Sequence, residues 1–304
     1  ITSDASTATE VTTALSDLII SFGITLHNIS INANYYNCLI DPILTAMRNL
    51  PNNATVQEVS FSLLSLLSSK SDGIKVTLVS KDGFSSIVFG TVIRYLDDPY
   101  VLEKVYDLMA NLVTLEYDGL FRFSLEEMNV MKLVMKRQLS NTGVLEAILR
   151  TIRNLAVFCE EHNPFVLTVD SSMPEDGDGT AMATAERVFF TKELIPVIVE
   201  AMRHHPNNCE GLHEVAFGAL WGLSSISSSC DDIVNESDSG SAVTFRSLFS
   251  EENESVILES MIIYKDSPSV VLQILGLMIN CSINDGDGIN PRRYHHVLTF
   301  VAGI

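Results

Sequence analysis

The sequence predicts an all-α chain built as an α-solenoid of about five to six stacked helical repeats. Three observations carry that prediction. Helical periodicity runs through almost the whole chain, and the alternation typical of strands is nearly absent. One helical pattern recurs, in VLEKVYDLMANLVT (101–114), GVLEAILRTIRNLAV (143–157), EVAFGALWGLSSIS (214–227) and VVLQILGLMINCSI (270–283). Weaker copies stand upstream in LIISFGITLHNIS (18–30) and VQEVSFSLLSLLSS (56–69). Each later copy follows a shorter helix and a breaker turn, and neither helix can bury its apolar stripe alone.

The elements follow in order. Helices are expected over 39–50, 83–96, 124–139 and 190–204. The turns after them are PNN at 51, DDP at 97–99, SNTG at 140 and HPNN at 205, with DSP at 266 before the last copy. Pro, Asn, Asp and Ser there end one helix and cap the next. Aligned copies place Asn28, Leu66, Asn111, Asn154, Ser225 and Asn280 at one equivalent position, with spacings of 38, 45, 43, 71 and 55. Helical repeats of this kind recur at about 40–47 residues. The two long spacings contain acidic, Gly- and Ser-rich insertions at about 170–186 and 230–243, which read as solvated loops within one array over 1–304. The apolar end at 297–304 and NPRRYHHVLTFVAGI look like the opening of another unit, so the chain is expected to be a piece of a longer one.

At this point the residues resemble a family. The long helix, closing on N-L/I-A/S, looks like the third helix of armadillo repeats, most clearly in ALWGLSSIS, ILRTIRNLAV and ITLHNISINANYYNCLID. The resemblance spans about 15–283, and HEAT-type repeats are the alternative. It implies a right-handed solenoid whose third helices line a concave groove that holds a peptide segment. In the karyopherin-α branch, a Trp and an Asn four residues later share one helical face there. The Asn amide meets the peptide backbone, and the Trp faces sandwich Lys or Arg stems.

Position by position the match is mixed. Asn28, Asn111, Asn154 and Asn280 fill the Asn position, with Leu66 and Ser225 in the other units. The Trp position holds Ile24, Ser62, Asp107, Arg150, Trp221 and Gly276, so no unit carries the full pair. The resemblance therefore implies a non-catalytic protein-interaction scaffold, with a nuclear-import receptor for basic peptides as the alternative and an enzyme's helical regulatory domain as a third. The competing role for the Asn ladder is structural, satisfying a neighbouring carbonyl between units. Phe217, one turn before Trp221, would extend an aromatic patch. Glu58, Glu103 and Glu146 recur at one position, with Asp107 beside them and Arg150 and Arg153 nearby. A groove lined so would suit a basic or amphipathic segment in its first half, and a solvated helix face is the competing reading.

Composition bounds the rest. The 304 residues include 38 Asp+Glu and 19 Lys+Arg, a net charge of −19, yet 46% are apolar. That is too apolar for a disordered acidic tail. The excess acid argues against nucleic acid and anionic lipid as partners. It concentrates late: 16 acidic and 12 basic residues over 1–159, against 22 and 7 over 160–304. Five scattered cysteines without a CxxC pair fit free thiols in a reducing compartment, the cytoplasm with the nucleus as a second location. No apolar run reaches the ~18 residues of a membrane span.

Several constellations fail on chemistry. His204, His205, Cys209 and His213 straddle a turn, and are expected to face solvent rather than converge on a metal. DGDG occurs at 176–179 and 285–288, but neither copy has an EF-hand's oxygen ligand at position one or its Glu at position twelve. Nucleotide, hydrolase and zinc-protease motifs are missing, so no cofactor and no catalysis are expected. The sequons at Asn28, Asn53, Asn235, Asn253 and Asn280 read as chance, and Lys132, Lys136 and Arg137 as a solvated basic face.

Overall fold

The computed structural model describes residues 10, 13–14, 33–114, 123–162, 193–207, 209–228 and 251–284, and every regular element among them is a helix. The fold is all-α. The chain divides into two compact units, Ile1–Phe121 and Arg122–Ile304. The division falls between the copies carrying Asn111 and Asn154. The two acidic insertions, both DGDG segments, Asn28 and the segment after 284 lie outside the described residues.

In the first unit, α1 (Ala33–Asn49) buries Ile40, Ile43, Leu44 and Met47, the i, i+3, i+4, i+7 spacing of a single helical stripe. The PNN turn does what its composition predicts. Asn53 Oδ1 accepts from Val56 N–H at 3.0 Å and starts α2 (Ala54–Ser68). Ser71 caps α3 (Asp72–Val79), and Gly83, at φ +73°, turns the chain into α4 (Phe84–Arg94), which meets α3 at 82°. Only a residue without a β-carbon takes that left-handed φ at little cost. Asp98 caps α5 (Pro99–Leu112), with Pro99 in the first turn where its missing N–H costs nothing. Helix α5 packs against α2. The helix expected over 83–96 forms as α4, but α3 was not foreseen: its eight residues bury only Ile74 and Leu78, too few for a periodic signal.

In the second unit, α6 (Leu125–Arg137) opens with a reciprocal capping box between Ser124 and Glu127 and closes on Lys136 and Arg137, charges that suit the helix dipole at both ends. It leads to α7 (Thr142–His162), then to α8 over 193–204 and α9 (Glu210–Ser228). Next come α10 (Glu251–Ile263) and α11 (Pro268–Asn284), the latter begun by the Ser267 hydroxyl. Helix α9 lies between α7 and α11 and packs on both. Glycine makes the fit close: a β-carbon on Gly222 of α9 would stand 2.5 Å from Ala156 Cβ on α7. Among the described residues no single helix is long and apolar enough to cross a membrane.

Candidate functional site

The recurring helices α2, α5, α7, α9 and α11 each keep one stripe half-buried between their core contacts and solvent. That stripe carries the polar ladder.

In the first unit it holds Glu58, Ser62 and Leu66 on α2, and Glu103, Lys104, Asp107 and Asn111 on α5. The acids here are not alone. Lys104 Nζ lies 2.5 Å from Glu103 Oε1 and 3.9 Å from Asp107 Oδ2. Burial pushes the Lys104 ammonium down, but the Glu103 hydrogen bond and the negative charges of Glu103, Asp107 and Glu58 outweigh it, so its pKa is raised overall. Three carboxylates around one ammonium leave the face acidic, though less so than the acids alone imply. Nothing in the repeat pattern marks Lys104, which has no counterpart charge in the aligned copies.

Asn111 faces the preceding long helix. Its Nδ2 donates to the Ser65 carbonyl and Ser65 Oγ, both at 3.0 Å, and to Ser68 Oγ at 3.4 Å. The second unit repeats the device. Asn280 Nδ2 on α11 donates to Ser225 Oγ at 2.6 Å and Ser224 Oγ at 3.2 Å on α9. Ser65 and Ser224 each stand one residue before the aligned position, at Leu66 and Ser225. In both units the donor thus reaches the Ser one residue before the aligned position, and in the second its shorter bond goes to Ser225 at that position. A Ser one residue ahead of the ladder was the sequence signal that could have found it.

Trp221 is half-buried on α9 and covers Gly276 of α11, its counterpart in the aligned pattern. A β-carbon on Gly276 would meet the indole at 2.5 Å. Ser224 and Ser225 both donate back to the Trp221 carbonyl, at 2.5 and 3.3 Å, so Trp221, Ser225 and Asn280 form one connected cluster. Phe217 does not join this surface: it is fully buried, and the expected extension of an aromatic patch is corrected to a core contact. On α7, Glu146, Arg150, Arg153 and Asn154 are half-buried. The Arg153 stem reaches over Gly218 of α9, with its Cδ 2.6 Å from where a β-carbon would stand, and Glu146 lies beside Gly211.

The histidine turn departs from expectation. His204 is exposed and meets His205 edge-on. His205 Nε2 donates to the Leu139 carbonyl at 2.6 Å. His213 does not face solvent but is fully buried, because the first turn of α9 carries it inward. Among the described residues no three His, Cys, Asp or Glu side chains converge as metal ligands. Neither Cys38 nor Cys209 is joined in a disulfide among the described residues. Asn53 and Asn280, both in sequons, are occupied as a helix cap and in the ladder. In the basic group, Lys132 pairs with Glu193, whose carboxyl is held below its usual range by that hydrogen bond and charge. A cleft of about 120 Å³ lies among Met202, Arg203, Pro206, Val256, Glu259, Ser260 and Ile263. Small-molecule sites are larger, at about 300–1,000 Å³.

The fold and the ladder define an all-helical chain whose patterned helices interlock through Asn and Ser. Among known proteins, no family model matches the chain, and no curated protein or solved structure matches it.

Proposed function

We propose that the chain is a non-catalytic interaction scaffold of the armadillo-like solenoid type, and that each unit binds a segment of a partner protein along the half-buried stripe of its own patterned helices. The observation that carries this reading is the repeated Asn–Ser interlock, Asn111 on Ser65 and Asn280 on Ser224 and Ser225. Helices locked in equivalent register bring equivalent positions to the same relative place. Within each unit, recognition positions then fall side by side on neighbouring helices, which suits an extended or helical segment better than a compact ligand.

The recognition residues of this reading are Glu103 and Asp107 with Glu58 in the first unit, and Glu146, Arg150 and Trp221 in the second. Asn111 and Asn280 hold the helices rather than the ligand, since their amide groups are directed at neighbouring serines. An import receptor needs those amides for the peptide backbone, so the scaffold reading is the better supported. The inference from fold to scaffold is by analogy.

The test uses the full chain and a pull-down from a lysate of its source. The wild type is compared with a Glu146→Ala/Arg150→Ala variant and a Glu103→Ala/Asp107→Ala variant. A partner retained by the wild type and lost from one variant, with thermal unfolding unchanged, supports the reading. Equal retention by all three removes the stripe as the binding surface.

A further inference from the structure

His213 stands as the fourth residue of α9, where the first unit offers a direct comparison. Gln57 is the fourth residue of α2 and is likewise buried. Its Nε2 donates to the carbonyls of Met47 and Leu50, both at 3.1 Å, at the end of the preceding helix, and its Oε1 accepts from Thr91 at 3.5 Å. His213 does the same job with a different group. Its Nε2 donates to the His205 carbonyl at 2.7 Å, just beyond the end of α8. The difference lies at the other nitrogen: His213 Nδ1 is buried without a hydrogen-bond partner.

The contacts around it form a knot. His205 is held to the Leu139 carbonyl, the His213 ring lies 4.7 Å from that of Tyr264 at 38°, and the Tyr264 hydroxyl accepts from Cys209 N–H at 3.1 Å. The titratable groups around the imidazole are His205 and Cys209 in the turn, Glu210 at the start of α9 and Tyr264 beyond α10. The Glu210 carboxylate accepts from Ser267 Oγ at 2.6 Å, so none of these serves Nδ1.

We infer that His213 is a proton-operated latch on the α8–α9 elbow, closed while its imidazole is neutral and opened when Nδ1 takes up a proton. Neutral, the ring needs one acceptor, the His205 carbonyl, and has it. A second proton would place an N–H in a dry site with no acceptor, where an unsatisfied polar group is costly and a charge more so. It would also set a cation in the first turn of α9, at the positive end of the helix dipole. Burial first, and then the charge of His205, hold the imidazole below its ordinary range, against the raising effect of the carbonyl hydrogen bond. Since the open form has an ordinary imidazole, it binds the proton more readily, and acidification through about pH 6.5 favours opening.

The experiment is hydrogen exchange of the full chain at pH 7.5 and 5.5, corrected for intrinsic rates, with Trp221 emission recorded alongside and histidine ring protons titrated by NMR. In the wild type, the amides of Cys209 and His213, which donate to the Tyr264 hydroxyl and the Cys209 carbonyl, should lose protection by up to about tenfold at pH 5.5, with Trp221 emission unchanged. His213→Gln, carrying the residue that Gln57 shows to fit, should hold the same protection at both pH values. His204→Ala, altering an exposed ring, should behave as wild type. The latch is overturned by pH-independent protection in the wild type, by a pH step that survives His213→Gln, or by loss of protection across the whole chain at once. Should His213→Gln fail to fold, the wild type decides alone: the His213 titration and the loss of protection must share a midpoint, and separate midpoints overturn the proposal.

Discussion

The indole of Trp221 covers the bare backbone of Gly276, leaving no room for a methyl group between α9 and α11. A β-carbon there would stand 2.5 Å from Cδ2 and Cε2 and 2.7 Å from Cε3. Two effects oppose each other in Gly276→Ala. Alanine favours a helix over glycine by about 1 kcal/mol, while overpacking a tight contact costs about 1–3 kcal/mol. The clash should win, lowering stability in urea and shifting the emission of the chain's only Trp. Against a Trp221→Ala background the ring is gone, and the same substitution should stabilise by up to about 1 kcal/mol. The same sign in both backgrounds would mean that the ring does not seal this contact.

The Asn ladder gives a second test, because its two characterised members meet different acceptors. Removing either amide by Asn111→Ala or Asn280→Ala should cost about 1 kcal/mol, the net worth of a typical internal hydrogen bond. Aspartate separates them. At 111 a carboxylate would face, besides the Ser65 and Ser68 hydroxyls, the Ser65 carbonyl, which can only accept. At 280 it would face hydroxyls alone, and that of Ser225 can turn to donate by giving up its long 3.3 Å bond to the Trp221 carbonyl. Asn111→Asp should therefore destabilise more than Asn111→Ala, and Asn280→Asp less than Asn280→Ala. Chemical denaturation of the four variants reads this out, and equal costs for the two aspartates would refute the assigned partners.

What the sequence made legible here was whatever rests on local chemistry. Asn53, Asp98, Ser124 and Ser267 all act at helix starts, and each lies in or beside a turn marked by Pro, Asn, Asp or Ser. The ladder position was legible too, since Asn recurs there at near-regular spacing. The direction of its amides was not, because that depends on which helix lies alongside, a relation between residues 43 or more apart. Phe217 and His213 were misplaced for a related reason. Both lie on α9 between two packed neighbours, where less of the helix faces water than on a one-sided amphipathic helix. Helix α3 escaped because two buried residues make no period.

Lys104 separates an acidic recognition face from a merely solvated one. It sits amid Glu103, Asp107 and Glu58, so a basic segment approaching this face must compete with it. Lys104→Met keeps most of the stem while removing the charge. If the stripe of the first unit binds basic peptides, the variant should bind a Lys-rich probe peptide more tightly, by about threefold to tenfold at low salt. The gain should shrink as ionic strength rises toward 0.15 M, where screening acts over about 8 Å. Titration by fluorescence anisotropy at two salt concentrations measures both effects. An unchanged affinity at low salt would leave these carboxylates as a solvated face.

Tyr106 sets a limit at the alkaline end. Its phenol is buried within α5, and burial alone pushes its pKa far up, since a phenolate there would lose its hydration. The sign follows from linkage. Above about pH 10 an unfolded tyrosine gives up its proton while the folded one keeps it, so the folded state binds more protons and stability falls as pH rises. This contribution is whole below pH 10 and is lost progressively above it. Tyr106→Phe removes the titrating group while keeping the ring, so its stability should fall less steeply between pH 9.5 and 11.5 than that of the wild type. Urea midpoints at several pH values in that range give the comparison. Parallel slopes in the two proteins would place the alkaline loss elsewhere and show that the Tyr106 phenol ionises without unfolding the first unit.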